Sequence, residues 1–391
     1  MVYLFWIGLF IVFYAFFGYG MLLYALVRIR IFLKGKRSVA LHNSTQEWPT
    51  VTIIVAAYNE ADCIAEKITN TTALDYPADK ISYLFVTDGS SDATPDIIRQ
   101  YPAIRLLHQP GRSGKIAAVH RAMKEVSSDV VVFTDANTLL NKEAIRNICR
   151  HYADDKVGAV SGEKRVNVDT VSDATAGEGF YWKYESALKR WDSELYSVVG
   201  AAGELFSVRT CLYQPVSANS ILDDFMISML IAQKGFRIVY EPDAYATENS
   251  SANVTEELKR KIRIAAGGIQ SICWLTPLLN PLRYPVLSFQ YISHRVLRWT
   301  VVPFLMIGVL LLNAVIVYNG GGLLYQLLLV AQAAFYLSAL LGWAMEKRKL
   351  RMKLLFIPYY FCMMNYAVLA GIKRFLSGSQ SAAWEKAQRK V

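Results

Sequence analysis

The sequence predicts an α/β domain, a mixed sheet with helices on both faces, set between membrane-spanning helices. Three observations predict it. Residues 50–264 alternate short apolar runs with stretches of helical periodicity, the pattern of a layered α/β domain. Two of these runs end in an aspartate: Val86-Thr87-Asp88-Gly89-Ser90-Ser91-Asp92 and Phe133-Thr134-Asp135-Ala136-Asn137. Of the 391 residues 53% are hydrophobic, with a mean hydropathy of +0.24, more than a wholly soluble enzyme carries.

The first element is an anchor over residues 1–33. Val2 to Val27 carries no charge and is long enough to cross a hydrocarbon core of about 30 Å. Arg28, Arg30, Lys34, Lys36 and Arg37 follow it and place that end in the cytoplasm. The segment lacks a basic n-region and exceeds an h-region in length, so it reads as a retained anchor and not a cleaved signal peptide.

In the domain over residues 50–264, VTIIVAAY, ISYLFVTD, AIRLLH, VVVFTDA and VGAVSG read as strands, several continuous in Val and Ile as strands covered on both faces are. Ala61 to Thr71 and Gly114 to Val126 read as helices. After about Gly162 the alternation weakens. A helix rich in aromatics (Phe180, Tyr181, Trp182, Tyr184, Trp191) leads to Gly200-Ala201-Ala202-Gly203-Glu204, and this half is expected to receive the acceptor.

Residues 271–299 mix apolar residues with three prolines, Arg283, His294, Arg295 and Arg298, which suits an amphipathic segment at the membrane interface with basic tips at headgroup depth. A C-terminal membrane region, 300–372, follows. It offers spans at Thr300 to Tyr318 and Leu323 to Met345, then an apolar stretch from Leu354 to Ile372 containing Pro358 and Asn365. If all three cross, the basic tail 373–391 ends outside, against the positive-inside tendency. Either the last stretch is re-entrant or interfacial, or the tail breaks the rule.

The net charge of +10 sits mainly in juxtamembrane clusters such as Lys347, Arg348, Lys349, Arg351 and Lys353, a pattern that fits topology and anionic headgroups. With no zinc spacing and no RNA-binding signature, no nucleic-acid partner is expected. The five cysteines, Cys63, Cys149, Cys211, Cys273 and Cys362, form no CxxC pair, as expected of a reduced cytoplasmic domain.

Carboxylates at the carboxyl ends of parallel strands are placed to handle a nucleotide and its metal. Asp88 and Asp135 both stand there; the plainer reading of each is a turn or helix cap. Ala57-Tyr58-Asn59-Glu60 leaves the first strand as a polar group, with capping by Asn59 as its ordinary explanation. His108 to Lys115 is a loop opening a helix, where Arg112 and Lys115 suit an anion; its spacing is not that of a Walker loop. In Asp135-Ala136-Asn137 alternate positions point the same way, so a carboxylate and an amide oxygen can converge on a divalent cation that also holds two phosphates. Asp223-Asp224 opens the helix-like run Phe225 to Gln233. Dipole compensation explains such a pair in isolation, and general-base catalysis explains it in a cleft.

Taken in order, these residues resemble the membrane-bound family 2 glycosyltransferases of GT-A fold, the superfamily of cellulose, hyaluronan and poly-N-acetylglucosamine synthases. The resemblance implies that Ala57, Tyr58, Glu60, Asp88, Lys115, Asp135 and Arg263 bind the nucleotide-sugar and that Asp135 with Asn137 holds Mg or Mn. It further implies that Asp224 is the catalytic base and that Gly203, Glu204, Asp223 and Arg260 lie on the acceptor side. Processive members carry QxxRW; here Arg260-Lys261-Ile262-Arg263-Ile264 keeps the arginine and lacks the glutamine and tryptophan. The chain is therefore expected to be a non-processive or divergent member: an inverting transferase moving a sugar from a UDP-sugar to a hydroxyl of a lipid-linked or growing saccharide. The expected setting is the cytoplasmic face of the cell's inner membrane, with membrane lipids and other polysaccharide-pathway proteins as partners. The alternatives are a processive synthase that exports its glycan and an inactive scaffold or nucleotide sensor. A transporter is disfavoured, since no span shows a buried charge pair.

Overall fold

The computed structural model describes residues 1–35, 47–167, 175–249, 254–348 and 352–378. Lys36, Arg37, Lys349, Arg351 and the tail beyond residue 378 lie outside them, as do the side chains of Phe180, Tyr181 and Lys353.

One eight-stranded sheet forms the domain: β1 (Val51–Ala57), β2 (Ile81–Asp88), β3 (Ile104–Gln109), β4 (Val130–Asp135), β5 (Leu139–Leu140), β6 (Val157–Asn167), β7 (Leu205–Arg209) and β8 (Arg237–Asn249), in the order β3-β2-β1-β4-β7-β6-β8-β5. Strands β1 to β4 are parallel, β7 runs antiparallel to both β4 and β6, and β8 is parallel to β6. The alternation along each parallel strand sends side chains to two cores. Ile54, Leu84, Val86, Val131 and Phe133 pack with the helices Lys115–Met123 and Asp223–Gln233. Val51, Ile53, Val55, Phe85 and Val132 pack with Ile64–Thr72 and Ala144–Cys149 on the opposite face. Each such side chain, when fully buried, contributes about 1.5–3 kcal/mol, which is why apolar runs with no polar face fold as central strands.

Strands β5, β7 and β8 escape the sequence reading, and β6 runs five residues past VGAVSG. In β8 the pattern is broken by Glu241-Pro242-Asp243, which bulges out: Gly162 pairs with Glu241 while the next residue, Glu163, pairs with Tyr245. Proline cannot donate to the ladder, so it stands at such a bulge.

Among the described residues four helices are long and apolar enough to cross a membrane: Val2–Lys34, Val301–Tyr318, Leu323–Lys347 and Leu354–Leu376. Phe5 of the first packs with Val309 and Ile316 of the second. The last is one continuous helix through Pro358. Its Phe356, Tyr360 and Met363 pack against Val254 and Leu258 of the helix Val254–Trp274. A Cβ added at Gly371 would stand 2.6 Å from that of Ala265, so the two helices touch closely.

Residues 271–299 pack against the sheet domain and the first long helix. Leu275, Leu278, Leu287 and Tyr291 belong to the same core as the sheet. His294 is wholly buried, its Nδ1 2.6 Å from Asp192 and its Nε2 3.2 Å from Glu185. Arg298 reaches Glu185 at 2.5 Å and donates to the Ala15 carbonyl at 2.9 Å. Tyr19 donates to Asp192, and Tyr184 donates to the Phe16 carbonyl at 2.6 Å. The reason lies in the first membrane helix, where a π-turn at Tyr14–Gly18 opens the hydrogen-bond ladder and offers carbonyls to these donors. Arg298, held by Glu185, thus bolts the first long helix to the sheet domain.

Candidate active site

Asp88 and Asp135 end β2 and β4, which pair with β1 on either side; Thr87 is in register with Ala57 and Asp135 with Ala56. The two carboxylates therefore flank the end of β1 in one crevice at the carboxyl edge of the sheet.

On the first side a cavity is lined by Ala57, Tyr58, Asp88, Arg112, Gly114 and Lys115, among others. Asp88 Oδ2 accepts hydrogen bonds from the Ser113 and Gly114 amides at 2.7 and 2.6 Å, which folds the 109–114 loop over the pocket. Its Oδ1 is buried, 3.5 Å from the Arg121 guanidinium, and accepts no hydrogen bond among the described residues. Gly89 is required on two counts: its φ is +71°, and a Cβ would lie 2.6 Å from that of Arg112. The Arg112 guanidinium stacks 4.0 Å above the Tyr58 ring. Asp92 is spent on structure, accepting from Thr94 and from the Ala61 amide at 3.1 Å. Glu60 is buried, takes a hydrogen bond from Cys63 Sγ at 3.4 Å, and does not line the pocket.

The second cavity shares Ala56 and Lys115 with the first and adds Asp135, Gly203 and Asp223. Lys115 at the start of its helix donates to Asp135 Oδ1 at 2.7 Å. Burial alone lowers the Lys115 pKa, and Asp135, Asp223 and Asp224 more than reverse this, so the ammonium is held charged. Asp135 and Asn137 are part-exposed, with Ala136 and Thr138 buried between and beyond them, as the alternation requires.

Asp224 lies against the backbone of Gly203, where a Cβ would come 3.0 Å from Oδ2. Burial first, and the adjacent Asp223 charge second, push its pKa up to about 7. Arg263 on the helix Val254–Trp274 feels Asp223, Asp224 and Asp135 together, while burial lowers its pKa. Glu204 is ion-paired with Lys164 at 2.6 Å and Arg260 at 3.6 Å. Burial raises its pKa and these two cations outweigh that, holding it ionised. Arg260 also meets Glu248 at 3.4 Å and Glu257 at 3.9 Å, so it braces its neighbours. Sequence reasoning missed Lys164, Glu248, Arg121 and Lys67. Only Lys67 left a signal, a lysine on the buried face that Ile64, Ile68 and Thr71 share.

The donor set suits a divalent cation brought with a diphosphate. Among the described residues no three His, Cys, Asp or Glu side chains are placed to hold a metal ion together. The chain offers one carboxylate and one amide, and a small hard cation keeps its remaining sites for phosphate and water.

A mixed sheet of this order, with acids at the strand ends and a basic helix start between them, is the arrangement of the GT-A fold. Residues 49–267 match the family model described as glycosyltransferase like family 2, and the chain belongs to that family. It is 31% identical over 168 residues to the beta-monoglucosyldiacylglycerol synthase of Synechocystis sp., covering 41% of this chain and 34% of the relative. It is 24% identical over 277 residues to the poly-beta-1,6-N-acetyl-D-glucosamine synthase of Staphylococcus aureus, covering 68% of this chain and 66% of the relative. The chain thus spans less than two thirds of either relative's length. In fold it is similar to the mannosyltransferase PcManGT of Pyrobaculum calidifontis, solved in complex with GDP-Man and Mn2+, with a TM-score of 0.71 and 24% identity over 96% of this chain and 100% of that one.

Proposed function

We propose that this membrane glycosyltransferase moves a sugar, with inversion, from a UDP-sugar to a hydroxyl of a lipid-linked or growing saccharide at the cytoplasmic face of the cell membrane. The observation that carries the reading is a pair of cavities joined at Lys115, one lined by Asp88 and the other by Asp135, Gly203 and Asp223, with the Asp224 carboxylate against Gly203.

The buried Oδ1 of Asp88 lacks a hydrogen-bond donor among the described residues, and the imide N–H of a uracil supplies one. The ring N–H of a guanine answers it equally, and PcManGT was solved with GDP-Man, so a GDP-sugar is the second donor to test. Asp135 and Asn137 would hold a Mg or Mn ion, which when bound offsets the charge of the diphosphate. Lys115 and Arg263 add fixed positive charge beside the same oxygens. Asp224, with its pKa near neutrality, takes the proton of the acceptor hydroxyl. The acceptor oxygen then bonds to the anomeric carbon from the face opposite the diphosphate, and the bond to the diphosphate breaks. Glu204 and Arg260 brace the acceptor side from within their ion-pair network.

The relative named for poly-beta-1,6-N-acetyl-D-glucosamine synthesis favours a second reading, a processive synthase. Purified protein incubated with a panel of UDP-, GDP- and dTDP-sugars, with Mg or Mn, tests both. Release of one nucleoside diphosphate with a single added sugar supports the first, a product ladder the second. No release from any donor refutes both.

A further inference from the structure

Among the described residues Lys67 is the only lysine with no solvent exposure. Its Nζ donates to Thr134 Oγ1 at 2.9 Å, to the Thr138 carbonyl at 2.8 Å and to Thr138 Oγ1 at 3.4 Å. The three contacts match the three N–H groups of an ammonium, and burial lowers the Lys67 pKa to about 7 against the opposing pull of Asp135 and Cys63. None of the acceptors is a carboxylate, and burying a charge without a contacting counter-ion is costly. A methionine would fill the same space without that cost, so packing does not account for the charge.

The acceptors do account for it. Thr134 and Thr138 bracket Asp135-Ala136-Asn137. Thr138 Oγ1 donates to the Asp135 carbonyl at 2.9 Å, while Thr134 Oγ1 donates to the Glu204 carbonyl at 2.9 Å. Glu204 follows Gly203, whose backbone lies against the Asp224 carboxylate. One buried amine thus ties the end of β4 to the segment that seats the base.

We infer that Lys67 is a positioning residue, fixing the Asp135–Asn137 loop for its cation and diphosphate and holding it in register with the Gly203–Glu204 segment. The inference rests on reading Asp135 and Asn137 as the cation ligands. Loss of an outer partner of this kind lowers metal affinity by about 10–100-fold.

The test is binding, without turnover, on full-length protein in detergent. Mn2+ is titrated in the presence of UDP, and in parallel GDP, and followed by electron paramagnetic resonance; uridine and guanosine serve as phosphate-free controls. Lys67→Met is expected to weaken Mn2+–diphosphate binding at least about tenfold and to leave nucleoside affinity within about twofold. Diphosphate binding within twofold of wild type, or a parallel loss of nucleoside binding as a merely structural lysine would give, overturns the inference. Should Lys67→Met not fold, Thr134→Val decides: it removes the relay hydroxyl and is expected to weaken Mn2+–diphosphate binding about three- to tenfold, and unchanged binding overturns the inference. Wild-type protein that binds neither diphosphate refutes the proposed function itself, a result distinct from either variant's.

Discussion

Replacing Asp224 by Asn keeps the shape of the base and removes its ability to take a proton. General-base catalysis contributes about 10²–10⁴-fold, and kcat is expected to fall by that factor while nucleoside diphosphate affinity stays near wild type. The wild-type pH profile follows from the same group. Burial and the Asp223 charge raise its pKa to about 7, so the ionised, active form is present above neutrality and is lost as pH falls through 7. At pH 6, one unit below, roughly a tenth is ionised and kcat/KM should stand about tenfold below its plateau. The linkage to stability runs the other way. Because the fold favours the protonated carboxyl, ionisation costs stability, fully above pH 7 and not at all below the ordinary carboxylate range. Asp224→Asn escapes that cost, so it should resist heat better than wild type at pH 8, with the difference fading towards pH 4. The assay pairs diphosphate release between pH 5.5 and 8.5 with thermal denaturation at the same pH values. An Asp224→Asn enzyme within tenfold of wild type, or a wild-type profile flat across that range, refutes the reasoning.

Three further outcomes are expected. Asp88→Asn removes a charged acceptor that folds the 109–114 loop and faces the base pocket; a hydrogen bond to a charged group is worth about 1.5–3 kcal/mol, so nucleoside affinity, read by calorimetry, should drop about 10–150-fold. Gly203→Ala places a methyl 3.0 Å from Asp224 Oδ2, displacing or further desolvating the base; kcat should fall and the acid limb of its profile should move to higher pH, whereas an unchanged profile would show that the two groups do not meet in solution. Glu185→Leu strips the buried counter-charge from Arg298, Arg295 and His294 and should destabilise the anchor–domain junction by about 3–5 kcal/mol, seen as faster heat inactivation in detergent with KM for the donor unchanged.

Much of this protein could be read from its residues in order. The Val- and Ile-rich runs ending in Asp88 and Asp135 announced central parallel strands, because a strand buried on both faces has no polar side to show. The uncharged run from Val2 to Val27 announced a helix that lipid tolerates. The paired carboxyl groups of Asp223 and Asp224 are local facts of sequence too. Other features depend on residues far apart in the chain and had no local signature. Strand β8 was hidden because Glu241-Pro242-Asp243 belongs to a bulge, and a bulge exists only against a partner strand. His294 is buried, and Arg295 and Arg298 are largely covered, because Glu185 and Asp192, about a hundred residues earlier, come to meet them beside an opened turn of the first helix. The near-neutral pKa values of Asp224 and Lys67 are likewise tertiary properties, since sequence names the ionisable group while only the packed surroundings set what it costs to ionise it.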